Sequence, residues 1–556
     1  MKFLGVLSVL CSLTSGSFAL DREAFTFTNY DLNVRVEPEQ QRLGVRGKIT
    51  LRNDSAKTQT SFVLQISSSL DWKSIRVSGK AAHFVTQEYN SDIDHTGALS
   101  EAIVDLPQAI APKGTVELEV GYEGVIPLDT SRLTRIGVPQ EKAKHTDWDQ
   151  ISRSFTAVRG IGYVTWYPVA TEDASLTDGD SMGETVGRWK VRHVDTVMHL
   201  LFESTANTPI FFSGTPSLFA VQPDHGIAKV AAYTMVRPGV SVPTFVIADY
   251  TSLKPDDFTT VGYLAGQQDA AETYAEVGTK VGPVVPIGRG SKDLNILGLP
   301  DPDAQPFVTE GMLLTPLNSP MTNEAELSIV YAEERQAVES PRLWIQDGLA
   351  HFAQAEFVEK QKGRQAALEY LTSHSTALIA LEKTHGGQAL LNAPEDLYLQ
   401  TKAMYVWWML KDMLGKLPVE ALLDYQAADD RDPSYLPKLI EKRSQRDLQW
   451  FFDDWVYHDR GLPDFRVESV FSTPLETGGF LVTITVENLG DAGAEVPLTV
   501  QFDGGEIRRR LEVHAKSKAS VRMEAPAAPQ QVTVNDGSVP ESDTSNNIYK
   551  VEGVNH

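Results

Sequence analysis

Two neighbouring stretches decide the fold: Leu-Ser-Ile-Val-Tyr-Ala-Glu-Glu-Arg-Gln-Ala at 327–337 and Leu-Trp-Ile-Gln-Asp-Gly-Leu-Ala-His-Phe at 343–352. Asn323-Glu324-Ala325-Glu326 has the pattern of a capping box, which predicts that a helix begins at Asn323. Ser340-Pro341 predicts the N-cap and first residue of a second helix, and Lys362-Gly363 predicts its end. The sequence therefore predicts two successive helices with a short connection.

The two helices have the layout of a helical zinc site whose ligands have been replaced. In such sites two His at i and i+4 bind the metal, a Glu beside the first His is the base, and an acid on the next helix is the third ligand. Here the His positions are Ala332 and Gln336, the base position keeps Glu333, and the third-ligand position is Asp347. Alanine has no donor atom, and an amide oxygen is a poor substitute for imidazole on zinc. We expect these positions to be vestigial and the zinc site to be lost.

Length and composition indicate a multidomain globular protein. At 556 residues the chain is too long for one core, so about two to four domains are expected. Hydrophobic and charged shares of 42% and 22% are those of a globular protein rather than a disordered one. The formal net charge of −24 argues against nucleic acid and anionic membrane surfaces as partners.

The N-terminus has the pattern of a secretory signal. Lys2 precedes an apolar run through Leu13, and Ser17-Phe18-Ala19 supplies small residues before a cleavage site. The run is too short to span a bilayer. We predict a signal peptide at 1–20, export to the periplasm or medium, and no membrane span in the mature chain. Cys11 lies within this signal, so the mature chain would have no thiol, disulfide or cysteine metal site.

Three regions differ in their hydrophobic pattern. Residues 21–250 alternate apolar and polar, as at Leu32, Val34 and Val36, which predicts a large antiparallel sheet domain with one buried face. Residues 251–465 are mainly helical, and 294–300 predicts a strand leading to a loop. Alternation returns at 466–556, which predicts an immunoglobulin-like β-sandwich. The predicted fold class is multidomain α+β.

Several segments, taken in order, resemble the aminopeptidase N-type gluzincin zinc metallopeptidases. They are 299–301 with 307–314, the 332–336 helix positions, 344–350, 400–412 and 451–457. The resemblance implies a thermolysin-like helical domain that follows the N-terminal sheet domain along the chain. It also implies that Gly311 and Met312 belong to the substrate loop, that Glu333 is the catalytic base and that the family cofactor is zinc.

The departures from this family fall on its catalytic groups. The loop Glu that binds the substrate amine is replaced within Met312-Leu313-Leu314, and Glu310 lies on the wrong side of Gly311. The transition-state tyrosine falls on Gln400, with Tyr398 two residues away. Ten residues separate Gln336 from Asp347, against roughly eighteen in the family. The metal, the amine anchor and the oxyanion helper are all altered.

The remaining polar residues allow two interpretations each. Glu333 is either a general base or a glutamate in an ion pair, for instance with Lys402 or Arg335. Without a metal-bound water a carboxylate of ordinary pKa does little, which favours the ion pair. Asp347 and His351 stand at i and i+4, so with Glu333 they form either a carboxylate–His metal site or an Asp–His hydrogen bond.

These observations lead to one hypothesis and two rivals. We predict an exported protein of gluzincin aminopeptidase fold that is catalytically inactive, has no cofactor and acts by binding a peptide or protein. The enzyme alternative is an active metallo-aminopeptidase with zinc in an atypical site of Glu333, Asp347 and His351. In the third interpretation the helical domain is a spacer and the terminal sandwich is the binding module. The sequence predicts no particular oligomeric state.

Overall fold

The computed structural model describes residues 20–551 except 91–97, 136, 161–164, 173–191, 193–194, 218–225, 239–240, 283–285, 288–292, 386–388 and 394–395. Residues 1–19, which include Cys11 and all but the last residue of the predicted signal peptide, lie outside the described residues. In the described part of the chain, no helix is both long enough and apolar enough to cross a membrane.

The first 250 residues form strands with two short helices. In chain order the elements are β1 Phe25–Glu37, β2 Arg42–Asn53, β3 Gln59–Ser67, β4 Leu70–Val77, β5 Lys80–Ala81, β6 Phe84–Asn90, β7 Ala98–Ile110, β8 Thr115–Val125, α1 Ser131–Thr134, α2 Gln140–Thr146, β9 Phe155–Val158, β10 Val197–Ser204, β11 Ile210–Phe212, β12 Thr215–Pro216, β13 Lys229–Val236 and β14 Phe245–Ala248. A 3₁₀ turn at Pro38–Gln40 joins β1 to β2.

These strands build three sheets. The largest has the order β12-β13-β10-β1-β2-β8-β4-β5, and the two smaller ones are β3-β7-β6 and β11-β14-β9. The predicted alternation is confirmed, since Leu32, Val34 and Val36 are buried while Asp31 and Arg35 are exposed. The prediction of a purely antiparallel sheet is wrong at one pair, because β1 and β10 run parallel. Parallel neighbours need a long connection, and here β10 follows β1 only after eight other strands of these sheets.

The middle region contains a mixed sheet and most of the helices. Its elements are β15 Thr251–Leu253, β16 Thr259–Tyr263, α3 Gln268–Val281, β17 Leu294–Leu299, β18 Phe307–Thr309, β19 Met312–Pro316, α4 Asn323–Ala337, α5 Leu343–Lys362, α6 Arg364–His385, α7 Asp396–Tyr398, α8 Met404–Leu414, α9 Leu417–Ala421, α10 Tyr435–Ser444 and α11 Gln449–Phe452. Two π-helical segments span Leu399–Ala403 and Asp453–Tyr457, and 3₁₀ turns span Leu390–Asn392 and Ala427–Asp429. The sheet order is β15-β16-β17-β19-β18. The predicted strand at 294–300 is therefore confirmed as β17.

The helix ends predicted from sequence are partly right. α5 ends at Lys362 with Gly363 as its C-cap, as predicted. α4 begins at Asn323, but its N-cap is Thr322, whose hydroxyl accepts a hydrogen bond from the Ala325 amide at 3.1 Å. The prediction that α5 is capped by Ser340 is wrong. The Ser340 hydroxyl accepts from the Arg342 amide at 3.0 Å, which forms a turn before the helix.

Helix α5 is fixed against the helices that follow it. A Cβ atom at Gly348 would lie only 2.7 Å from Cβ of Ala403, so this close approach requires glycine. The Trp344 and Trp407 rings stack with centroids 6.0 Å apart, and the Trp407 indole donates to the Trp344 carbonyl at 3.1 Å. The residues between Trp344 and Gly348 are therefore held in a rigid, buried position.

The last region consists of strands in two antiparallel sheets. The strands are β20 Phe465–Pro474, β21 Phe480–Asn488, β22 Ala494–Phe502, β23 Gly505–Val513, β24 Lys518–Ala525, β25 Pro529–Val534 and β26 Ile548–Lys550. One sheet has the order β20-β21-β24 and the other β23-β22-β25-β26. Inward-facing residues of both sheets, such as Ile484 and Leu498, share one hydrophobic core with the preceding helices. The Trp455 indole donates to the Gly493 carbonyl at 2.8 Å and ties this region to the helices.

Candidate functional site

Helices α4 and α5 bring the predicted site residues to one buried place. Ala332, Glu333 and Gln336 lie on α4 and are 3%, 3% and 8% exposed. Asp347 lies on α5 and is 6% exposed. The two helices pack directly against each other. The positions predicted to be vestigial therefore lie in the protein interior and not on an open surface.

An arginine neutralises the third-ligand position. The Arg335 Nε donates to Asp347 Oδ1 at 2.6 Å, and the Tyr331 hydroxyl donates to the same oxygen at 2.9 Å. Both side chains of the ion pair are 9% exposed. Burial alone would lower the pKa of Arg335, but the adjacent Asp347 charge outweighs burial and raises that pKa above its ordinary value. Arg335 is therefore a permanent cation whose charge is compensated by Asp347.

These residues do not fit zinc. A zinc site needs about four donor atoms such as imidazole nitrogen, thiolate or carboxylate. Ala332 offers none and Gln336 offers an amide, while Asp347 Oδ1 already accepts two hydrogen bonds. A divalent cation at Asp347 would also lie beside the Arg335 guanidinium, which repels it.

The enzyme alternative needs Glu333, Asp347 and His351 to converge. His351 Nδ1 lies 3.0 Å from Gln354 Oε1, and its ring packs on Tyr331 with centroids 4.6 Å apart. Tyr331 thus contacts both Asp347 and His351. Within the described residues, the group of three His, Cys, Asp or Glu side chains close enough to share an ion is His145, Asp301 and Asp303, and it includes none of the three residues named for this alternative.

The suggested pairing of Glu333 with Lys402 is wrong. Lys402 is fully buried and its ammonium donates to Asp459 at 2.8 Å and to Glu382 at 3.3 Å. Burial raises the pKa of Glu382, and the nearby Asp459 charge adds to that effect. The carboxylates of Glu382 and Asp459 already compensate the Lys402 charge, so Lys402 is not the partner of Glu333.

Gly311 and Met312 occupy the turn and strand expected for the substrate loop. Gly311 has φ of 66°, a left-handed conformation that favours glycine, at the turn between β18 and β19. Met312 is fully buried in a core cluster with Trp148 and Leu314, so its side chain does not face the cleft. Glu310, which the sequence argument discounted, is half-buried and lines the cleft instead.

A cavity of about 10 Å³ remains beside Ala332 and Gln336. Such a volume holds about one water-sized group. The complete lining is Arg237, Ser241, Thr309, Glu310, Ala332, Arg335, Gln336, Glu339 and Gln346. Arg237 donates to Glu339 at 2.9 Å and so connects the β region to the end of α4. Sequence reasoning missed Arg237 and Gln346: Gln346 directly precedes Asp347, whereas nothing local marks Arg237.

The position expected for a catalytic phenol lies in the first π-helical segment. Gln400 is half-buried there, and Tyr398 at the preceding turn is 1% exposed. π-helical segments often occur at functional sites. A glutamine side chain at this position offers an amide in place of an ionisable hydroxyl.

One cluster of three side chains and one buried glutamate lie outside the cleft. His145 Nδ1 is 2.5 Å from Asp301 Oδ2, with Asp303 close by, and this contact links α2 to the loop after β17. Glu334, the neighbour of Glu333, is completely buried and accepts a hydrogen bond from the Ile287 amide at 3.2 Å. Burial raises the pKa of Glu334 to about 8. Sequence spacing pointed to neither the cluster nor this glutamate.

Comparison with solved structures identifies the fold. No protein-family profile and no curated protein matches the chain. An M1 zinc metallopeptidase from Deinococcus radiodurans is similar at TM-score 0.51 and 14% identity, over 80% of this chain and 96% of that one. A point mutant of that enzyme bound to a Tyr-Ser-Ala substrate matches at TM-score 0.51 and 14% identity, over 80% and 97% of the two chains. The chain has the mixed α+β fold of M1 zinc metallopeptidases, with an N-terminal β-sheet domain and a helical domain.

Proposed function

We propose that this protein is an exported pseudopeptidase that binds a peptide or protein and does not hydrolyse it. The observation that carries the proposal is the buried ion pair between Arg335 and Asp347. A family enzyme needs a bound metal to make a nucleophile from water at neutral pH. Here the residue in the third-ligand position compensates an arginine, and Ala332 and Gln336 supply neither imidazole.

Binding is the function that the remaining structure supports. The cleft keeps polar groups from two regions, since Arg237 comes from the β region and Glu339 from the end of α4. A polar cavity of this kind suits recognition of a charged group better than a structural role alone. In this proposal residues 466–556 form an immunoglobulin-like sandwich that supports the helical domain, and the signal at 1–20 directs export.

Metal analysis of the purified mature protein tests the proposal. We expect well under one zinc per chain after dialysis, because imidazoles supply most of the affinity in such sites. We also expect no hydrolysis of amino-acid amides or N-blocked peptides, with or without added zinc. Stoichiometric zinc that survives dialysis and is lost in Asp347→Ala, or cleavage by the wild-type protein, would overturn it in favour of the metallo-aminopeptidase alternative.

A further inference from the structure

A histidine and two aspartates meet where α2 contacts the loop after β17. His145 lies near the end of α2, and Asp301 and Asp303 lie in that loop. One ring nitrogen of His145 and one carboxylate oxygen of each aspartate lie within 4.8 Å of one another. An imidazole and two carboxylates are groups that bind divalent metal ions in proteins. The three side chains therefore have the chemistry of a metal site.

The spacing of these donor atoms is close to that around a metal ion. A tetrahedral ion with bonds of about 2.1 Å holds neighbouring donor atoms about 3.4 Å apart. His145 Nδ1 and Asp301 Oδ2 now share a hydrogen bond at 2.5 Å, so an ion requires them to separate by about 1 Å. Their side chains are 25% and 31% exposed, so small rotations are open to both.

The backbone on both sides of this group is fixed. The Gln305 amide donates to the His145 carbonyl at 2.8 Å, and the Trp148 indole donates to the Gln305 carbonyl at 3.1 Å. The Asp303 amide donates to Asp301 Oδ1 at 3.1 Å, which sets the two aspartates side by side. α2 and the loop are therefore held together before any ion binds.

The charges around the group favour a doubly charged cation. With a neutral imidazole the two aspartates leave two negative charges. The neighbouring Lys144 pairs with Glu141, and that hydrogen bond is the main cause of the raised pKa of Lys144. The charges of Asp301 and Asp303 add to the same rise. The Asp303 carboxylate forms no hydrogen bond or ion pair with the described part of the chain, so one donor is left over once His145 and Asp301 have paired.

We propose that His145, Asp301 and Asp303 bind a divalent transition-metal ion of the zinc type, with water completing its coordination. Three protein donors and one water make the four-coordinate shell that zinc takes. Mg²⁺ and Ca²⁺ are poor occupants, because they prefer shells made only of oxygen. The ion ties α2 to the loop after β17. Because the site is partly exposed, the ion exchanges with the buffer and dialysis removes it.

This inference goes beyond the proposed function and does not depend on it. The site shares no residue with the cleft at Ala332, Gln336 and Asp347. Zinc at His145 therefore neither requires Asp347 nor supplies a metal to the cleft.

The test titrates the mature full-length protein, dialysed first against EDTA and then against plain buffer, with zinc chloride or magnesium chloride by calorimetry. We expect one zinc per chain, bound at least about tenfold more tightly than Mg²⁺. His145→Ala and Asp303→Asn should each weaken zinc binding about tenfold or more. Added zinc should also raise the thermal unfolding midpoint of the wild type and not that of Asp303→Asn.

Asp105→Asn is the matched control. Asp105 forms an exposed pair with His83 at 2.8 Å, and within the described residues this pair belongs to no group of three metal-binding side chains. Asp105→Asn should therefore leave zinc binding unchanged. Asp303 is exposed, so Asp303→Asn guards against misfolding of the half-buried His145→Ala variant.

Three results would overturn the site and leave the proposed function intact. They are no zinc binding by the wild type, equal affinity for zinc and Mg²⁺, and zinc affinity that Asp303→Asn reduces no more than Asp105→Asn does. Zinc binding that Asp303→Asn retains and Asp347→Ala loses would instead place the ion in the cleft. That result would overturn both this site and the pseudopeptidase proposal.

Discussion

The buried ion pair of Arg335 and Asp347 provides the sharpest test of the interpretation. Asp347→Ala removes the carboxylate and leaves the Arg335 guanidinium in a position that is 9% exposed. Breaking a buried pair in this way costs about 3–5 kcal/mol, because one charge stays buried without compensation. The mutation also leaves the Tyr331 hydroxyl without the acceptor that it has at 2.9 Å. In thermal unfolding the expected loss is about 6–20 °C in the transition of the helical region.

The double variant Arg335→Met with Asp347→Leu separates this explanation from metal binding. Replacing both partners by apolar residues of similar size is often close to neutral, so most of the lost stability should return. Under the proposal no metal is bound, so EDTA should leave the wild-type midpoint unchanged. The reasoning is refuted if EDTA lowers the midpoint as far as Asp347→Ala does, or if Arg335→Met alone is harmless and raises zinc affinity to a stoichiometric level.

Two other predictions follow from the same geometry. The variant Ala332→His with Gln336→His should bind zinc but hydrolyse amino-acid amides poorly. Gln400 still stands where the resemblance places a catalytic tyrosine, and Arg335 still pairs with Asp347. Each missing catalytic group costs about 10²-fold or more in rate. Brisk cleavage of amino-acid amides by that variant would show that the cleft was intact apart from its metal. Glu334 binds its proton more tightly in the folded state, with a pKa of about 8 against 4.5 for an ordinary glutamate. Its stabilising contribution is complete below pH 4.5 and is lost as the pH rises through 8, so Glu334→Gln should gain stability over wild type across that interval, by about 3–5 kcal/mol in urea unfolding. A stability difference that does not change between pH 5 and 8 would contradict the assigned burial effect.

Patterns with a local physical cause were predicted well from sequence. The alternation at Leu32, Val34 and Val36 marks β1 because a strand has a period of two residues. Gly363 marks the end of α5 because its positive φ suits glycine. The N-cap of α4 was misplaced by one residue, since Thr322 and Asn323 are both good capping residues and it is Thr322 that has the extended backbone and accepts from the Ala325 amide.

The site itself required the structure. Ala332, Gln336 and Asp347 could be singled out in the sequence, but the contacts that Arg335 and Tyr331 make with Asp347 could not. Arg335 stands at an unspecified position of the zinc motif, and its role depends on how closely α5 approaches α4. Arg237 reaches the cleft from the β region, 102 residues away from its partner Glu339. No local pattern encodes a contact of that kind, and the same holds for Glu310, which sequence order placed on the wrong side of a glycine.

Under the proposed absence of zinc, the Arg335–Asp347 pair also explains how the fold is stable without a metal. A buried carboxylate left alone after loss of zinc would carry a large desolvation cost. Arg335 removes that cost with a permanent positive charge at 2.6 Å, and Tyr331 adds a second donor. The charge compensation is what a zinc ion would supply, but a guanidinium has no empty coordination position for water or a carbonyl oxygen. Because Asp347 Oδ1 is already engaged by Arg335 and Tyr331, zinc held by histidines introduced at 332 and 336 would lack a well-placed third protein ligand, which is a further reason to expect metal binding without turnover.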